Sequence, residues 1–189
     1  MGLAGLPIAV FAAACGSHEA NIESPDPYEQ YLWLIRLDRS ANQEELDRVR
    51  GAMSSASAMV REGAVIAVGK AGNPDLIPLA VERLGDSEPG VRGAAVEALA
   101  RLGHAPGQAK VQERLRIDTA PEVRRTAARA LEKFPLNRAA GADLVAALSD
   151  ADGGVAVLAH ETLVKLTRQQ FDRSDVKGWQ EWIEKQVPP

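Results

Sequence analysis

Few side chains in this sequence are of kinds that do chemistry. The only cysteine, Cys15, follows Ala12, Ala13 and Ala14. A lone thiol is a nucleophile or an attachment point, and it excludes an internal disulfide framework and any cysteine-based zinc cluster. The histidines, His18, His104 and His160, stand far apart and leave little for a metal site. His104 follows Gly103 at a helix end, where a cation is favoured. His160 reads as a surface or groove residue. Glu44 and Glu45, and Asp150 with Asp152, are carboxylates close in sequence, as acid–base work requires. They fall at helix starts and turns, where capping and solvated charge are the simpler roles. No glycine-rich phosphate loop, paired-histidine motif or Gly-x-Ser-x-Gly elbow occurs. The expectation is a non-enzymatic protein with no metal and no cofactor.

The elements that hold these residues follow from composition. The chain has 189 residues, 46% hydrophobic and 25% charged, with a net charge of −4. That balance suits one globular domain with a real core. Mild acidity disfavours a general nucleic-acid binder. Thirty-two alanines against eight aromatic residues point to helices. Residues 2–14 are uncharged and almost wholly apolar, too short to span a bilayer, which takes about 20 residues, but suited to a secretory signal. With Cys15 behind three small residues, this start resembles the lipobox of bacterial lipoproteins, in which the cysteine becomes the lipidated first residue. The resemblance implies a signal over 1–14, lipid attachment at Cys15, a polar tether over 15–26, and anchorage on the bacterial envelope, facing the periplasm. Two departures stand against it. No Lys or Arg precedes Arg36, and Ala12 occupies the usual leucine place; a start codon further upstream would supply the basic residues. The alternative is a free thiol behind an apolar N-terminal helix.

The middle of the chain repeats. Valines at 60, 91, 123 and 155 each open the same pattern, in steps of 31, 32 and 32 residues. Apolar residues recur at +4, +7, +8 and +11, one face of an α-helix. The +4 and +7 places hold mostly alanine (Ala64 and Ala67, Ala95 and Ala98, Ala127 and Ala130, then Ala159 and Thr162), small enough for close helix approach. A shorter helical stretch precedes each, at 44–53, 75–84, 108–116 and 142–148. Asp86, Asp118 and Asp150 mark the corners between them. One such pair cannot cover its own apolar stripe, whereas stacked pairs bury a continuous core.

This pattern resembles the short bacterial HEAT-like repeat, over about residues 43–167. Its most specific feature is a corner Asp followed six residues later by Arg: Asp86 with Arg92, and Asp118 with Arg124. The resemblance implies that these residues form a ladder along the stack. Arg61 belongs to it, although Ser55 replaces its Asp; in the last unit Asp150 remains but Ala156 replaces the Arg. The implied fold is all-α, a solenoid of about four helix pairs. An N-terminal capping helix is expected within 27–42, formed by residues 28–39. A C-terminal cap is expected over 168–189, where Trp179, Trp182, Ile183 and Gln186 share one helix face. The tail is similar to the Phe-Asp and Trp-x-x-Trp ending of many bacterial HEAT-like proteins; an aromatic ligand platform is the alternative reading.

One charge feature stands apart. Residues 110–138 hold eight basic and four acidic side chains, a local +4 that leaves −8 elsewhere in a chain of −4. Arg125, Arg129 and Glu132 lie on one helix face, and Glu97 and Glu161 occupy equivalent places in neighbouring units. Aligned by stacking, they would form a ridge for a protein or peptide partner; a solvated face is the plainer alternative. The expected function is a membrane-tethered interaction scaffold, its oligomeric state open. The rival readings are a cytoplasmic HEAT-like protein related to phycobilin lyases and their partners, or a nucleic-acid-binding HEAT protein.

Overall fold

The computed structural model describes residues 21–103 and 105–188. The predicted signal, His18, His104 and the predicted lipid-attachment residue, Cys15, lie outside them. Ten α-helices and no strand occur among the described residues: α1 Pro27–Arg36, α2 Gln43–Ala52, α3 Ala58–Ala71, α4 Ile77–Arg83, α5 Pro89–Leu102, α6 Ala105–Ile117, α7 Pro121–Ala130, α8 Arg138–Ala147, α9 Gly153–Thr167 and α10 Val176–Gln186. None is long and apolar enough to cross a membrane.

Helices α2/α3, α4/α5, α6/α7 and α8/α9 are the four repeat pairs. The second helices α3, α5, α7 and α9 pack successively on one another, more extensively than the first helices do. The small residues at +4 and +7 make this possible: Ala64, Ala95, Ala127 and Ala159 are all fully buried. Gly69 goes further, since a Cβ there would lie 3.0 Å from the Cα of Ala98 on the next helix. Leading valines, with leucines in or just before the first helices, fill the layer between the rows: Val60, Val91, Val123, Val155, Leu76 and Leu144 are essentially inaccessible.

Local chemistry sets the boundaries. Asn42 and Glu45 close a reciprocal capping box on α2, so one of the paired glutamates is a cap. Asp152 caps α9 and Asp175 caps α10. Several boundaries differ from those the sequence pattern predicts. Helix α6 begins at Ala105 instead of 108, and α4 at Ile77 instead of 75, after a 3₁₀ turn over Pro74–Leu76. Helix α1 stops at Arg36, because Asp38 bonds the backbone N–H and hydroxyl of Ser40 in a turn that competes with the helix. Helix α8 begins at Arg138 instead of 142, under an Asn137 cap. Helix α7 tightens into a 3₁₀ turn over Leu131–Lys133. Pro135 disfavours helical backbone at Phe134, which is extended.

The ends are closed by α1 packed on α3 and α10 packed on α8. Leu34 is buried beneath α1, but Tyr28 is 55% exposed and does not join that cap. At the other end Trp179 is fully buried, with Ile183 beside it. Ile183 lies on Gly141, where a Cβ would come within 2.7 Å of it. Trp182 is half-buried, and Gln186 is exposed instead of sharing the buried face. Phe171 and His160 meet the Trp179 ring edge-on at 5.1 and 5.9 Å. Nε2 of His160 also lies 2.9 Å from the Phe171 carbonyl, so the histidine fastens the tail. Trp179 itself is enclosed and offers no platform.

Candidate functional site

Two sets of polar residues run along the stack, and they do different things. The first is at the corners. Arg61 donates through Nε and Nη2 to both oxygens of Asp86, each at 2.8 Å. Arg92 grips Asp118 in the same fork, at 2.8 and 2.7 Å. Arg124 grips Asp150 at 2.8 Å through both nitrogens. Each arginine thus reaches the aspartate of the following unit, not the one six residues before it. Nη1 instead donates to the carbonyl of its own corner: Ser55, Asp86 and Asp118 at 2.9, 2.9 and 2.8 Å. Each aspartate also accepts the backbone N–H two residues on, from Glu88, Ala120 and Asp152. Three rungs result. At the N-terminal end Ser55 keeps the turn, accepting the Ser57 N–H on its hydroxyl. At the other end Ala156 offers nothing onward.

The rungs hold their charges firmly. The Arg61 guanidinium keeps the Asp86 carboxyl below the usual carboxylate range. Arg124 does the same for Asp150. Burial pushes Asp118 up, but hydrogen bonds from Arg92 and the Ala120 N–H, with the charges of Arg92 and Arg114, outweigh it and bring the group down. Arg61, Arg92 and Arg124 are raised in turn, by their bonds to these aspartates. With all three guanidinium nitrogens bonded and the pairs largely enclosed in the corner, these groups position backbone and are already committed.

The second set lies on the second-helix face. Arg129 and Glu97, 32 residues apart, pair across α7 and α5 at 2.7 Å. Lys165 on α9 pairs with Glu132 at 2.9 Å. Arg125 does not stand free on the ridge: it forks onto Asp152 at 2.8 and 2.5 Å. That bond, with the Val155 N–H, holds Asp152 well below the ordinary carboxylate range. Glu161 is exposed on α9 and is not brought to these pairs. The predicted ridge is therefore largely a row of clasps between adjacent units.

Between the clasps the face is open. A groove of about 520 Å³ lies between α5 and α7, lined by Glu97, Ala100, Arg101, Thr126, Arg129 and Lys133 among others. A smaller hollow of about 230 Å³ continues it toward α3, sharing Glu97 and Thr126 and adding Glu62 and Glu122. The face thus runs from acidic near α3 to basic at the C-terminal ends of α5 and α7. Sequence reasoning about the ridge missed Arg101, Lys133 and the alanines beneath them. Their signal was present: Lys70, Arg101, Lys133 and Lys165 recur ten residues after the leading valines. Among the described residues, no group of three or more His, Cys, Asp or Glu side chains is placed to hold a metal ion.

Comparison with known proteins settles the family. A model of HEAT repeats matches residues 19–100, 46–132 and 77–163. The matches together span 19–163, well over half the chain, and their ends advance by one repeat each. The chain is a HEAT-repeat protein. No curated protein sequence matches it. Among solved structures, it is similar to a chain in the complex of CpcE and CpcF of phycocyanin lyase from Nostoc sp. PCC7120, with 22% identity and a TM-score of 0.58, over 87% of this chain and 71% of that one. An engineered protein shares 18% identity at a TM-score of 0.55, covering 88% of this chain and 95% of that one. A chain of the Pds5–Scc1 cohesin complex shares 17% at 0.60, and there this protein covers only 30% of the larger chain. At these identities the likeness is one of fold. The HEAT solenoid, its corner ladder and its groove are the frame for any function.

Proposed function

We propose that this HEAT-repeat protein is a non-enzymatic, membrane-tethered scaffold that holds a partner protein against its second-helix face. One observation carries the reading: four stacked units present a continuous preformed surface, with an open groove of about 520 Å³ at its centre, while the corner charges are enclosed in the ladder. A rigid surface of this kind offers side chains to a partner with little ordering cost. Two of the similar structures are complexes, of CpcE with CpcF and of Pds5 with Scc1, which supports the same use of the fold. The tether is Cys15, lipidated after removal of residues 1–14, which places the protein on a bacterial envelope membrane.

Site-specific photo-crosslinking in the intact envelope tests the scaffold. A crosslinker at Thr126 should trap a discrete partner, and one at Ala109, on the exposed side of α6, should not. Equal labelling from both positions, or none from Thr126, refutes the assigned face. Mass spectrometry of the membrane-fraction protein tests the address. An uncleaved chain with an unmodified Cys15 thiol would rule out the lipoprotein and favour the cytoplasmic alternative, in which the likeness to the phycocyanin lyase subunit extends to function. That alternative predicts phycobilin transfer to a phycobiliprotein by this chain and its partner.

A further inference from the structure

A cation closes every second helix of this stack. Lys70, Arg101, Lys133 and Lys165 stand at the same repeat position, in steps of 31, 32 and 32 residues. A basic residue in the last turn complements the helix dipole, and the two outer members also have partners. Lys70 donates to the Ile35 carbonyl of α1, and Lys165 to Glu132. The two central members differ. Arg101 and Lys133 are exposed and make no hydrogen bond or ion pair among the described residues.

Both line the groove between α5 and α7, with Arg129. The groove's carboxylates are already engaged, Glu97 by Arg129 and Glu132 by Lys165. Its uncompensated charge is therefore positive and concentrated on Arg101 and Lys133. Between them the floor is Ala100 and Ala130, 8% and 7% exposed, whose small side chains leave room for an apolar group. Thus one apolar recess is lined by two free cations, one on α5 and one on the 3₁₀ turn that follows α7.

We propose that this groove binds an acidic linear segment of the partner protein, an acid–apolar–acid run. The inference rests on the scaffold reading above and names the partner chemistry of that face. In an extended chain one side chain points to the Ala100–Ala130 floor, and its two neighbours point the other way, toward the rims. Those neighbours are about 7 Å apart at about 3.3–3.4 Å per residue. Packed helix axes lie about 8–10 Å apart, so the long side chains of Arg101 and Lys133 span the difference. Glu62 and Glu122, in the adjoining hollow, repel further acid and mark where the acidic run ends.

The test uses the full chain and two fluorescein-labelled decapeptides, one carrying Glu-Leu-Glu in a Gly-Ser context and one carrying Gln-Leu-Gln, read by anisotropy. The Glu-Leu-Glu peptide should bind saturably, and the Gln-Leu-Gln peptide about tenfold more weakly or worse, as the loss of two charge-assisted contacts implies. The Arg101→Glu/Lys133→Glu variant should weaken the first peptide by the same factor. Lys110→Glu, on the first-helix side, should leave it unchanged. If circular dichroism shows that the reversed-charge variant unfolds, Arg101→Gln/Lys133→Gln replaces it. Equal affinity for the two peptides, or an unaltered affinity in the double variant, overturns the proposal. So does binding of phosphatidylglycerol vesicles through Arg101 and Lys133 without binding of the peptide, since the occupant is then a lipid surface. A failed peptide with an intact Thr126 crosslink overturns this inference alone; loss of both overturns the scaffold reading as well.

Discussion

Replacing Asp118 by Asn separates the ladder's charge from its shape. Asparagine retains the oxygen that accepts the Ala120 N–H, so the turn survives. It presents an amide donor to Arg92 where a carboxylate oxygen accepted, and leaves the arginine's charge without its counter-ion. The Arg92 and Asp118 side chains are only 10% and 1% exposed. Breaking a buried pair from one side costs about 3–5 kcal/mol; the residual exposure of Arg92 places this case at the low end, about 3 kcal/mol. The last rung is more open, with Arg124 and Asp150 at 16% and 13%. Asp150→Asn should therefore cost about half as much, in keeping with the smaller energies of exposed pairs. Urea denaturation followed by circular dichroism gives both values. In a Trp33→Phe background, Trp179 and Trp182 report the C-terminal end alone. A broken central rung weakens one interface of a nearly one-dimensional array, so the fluorescence transition should separate from the circular dichroism transition in Asp118→Asn. The pH dependence has a defined sign. Asp86, Asp118 and Asp150 all have lowered pKa values in the fold. Their contribution is complete above the unfolded aspartate value of about 3.9 and is lost as pH falls through the lowered folded values. Asp118→Asn should flatten that acid limb. A loss under about 1 kcal/mol, or a larger loss for Asp150→Asn than for Asp118→Asn, would refute the ladder as the inter-repeat clamp.

Two further outcomes follow from backbone and packing. Gly69→Ala should destabilise the fold by about 1–3 kcal/mol, because its Cβ would meet the Ala98 backbone at 3.0 Å. Gly93→Ala, with nothing within 4 Å of the new Cβ, should stabilise α5 by up to about 1 kcal/mol, and thermal melts of the two variants should move in opposite directions. Arg168 ends α9 in the left-handed region at φ 62°. Arg168→Gly should raise the melting temperature, worth about 0.5–1 kcal/mol; no gain would mean that the arginine side chain has a compensating contact.

The fold was legible because periodicity survives any single departure. Four valines at near-equal steps specify four units even though Ala156 and Ser55 break the corner motif. Boundaries were less legible because they depend on competition at single residues. Asp38 takes the Ser40 N–H and ends α1 early, which no apolar count could show. The ridge was half legible. The repeat put Glu97 and Arg129 side by side, and they are. Whether a charge at such a place is free or clasped depends on its neighbour 32 residues away, and Arg125 found Asp152, a cap residue outside the ridge pattern. The free pair, Arg101 and Lys133, was hidden because each looks like ordinary helix-end charge until its partners are accounted for. His160 behaved likewise: an exposed place by helix phase, drawn into the cap by Phe171 and Trp179.

The division between corner and face bears on how such a protein acquires a partner. The ladder uses Asp and Arg at the turn, where the arginines bond backbone or the next turn and the aspartates also meet Arg83 and Arg114 of the first helices. None of its groups lines the groove between α5 and α7. Stability between units is carried at one edge of the stack, and the proposed recognition face is at another. The clasps Arg129–Glu97 and Lys165–Glu132 are exceptions, lying on the recognition face, and they are exposed enough to contribute little to stability. Their effect is on charge. By neutralising Glu97 and Glu132 they turn a mixed surface into a groove whose only uncommitted charges are cations. Had either acid been free, it would have competed with an incoming carboxylate for Arg101 and Lys133. Under the proposed acidic-segment reading, residues that look like spare salt bridges therefore select the sign of the partner.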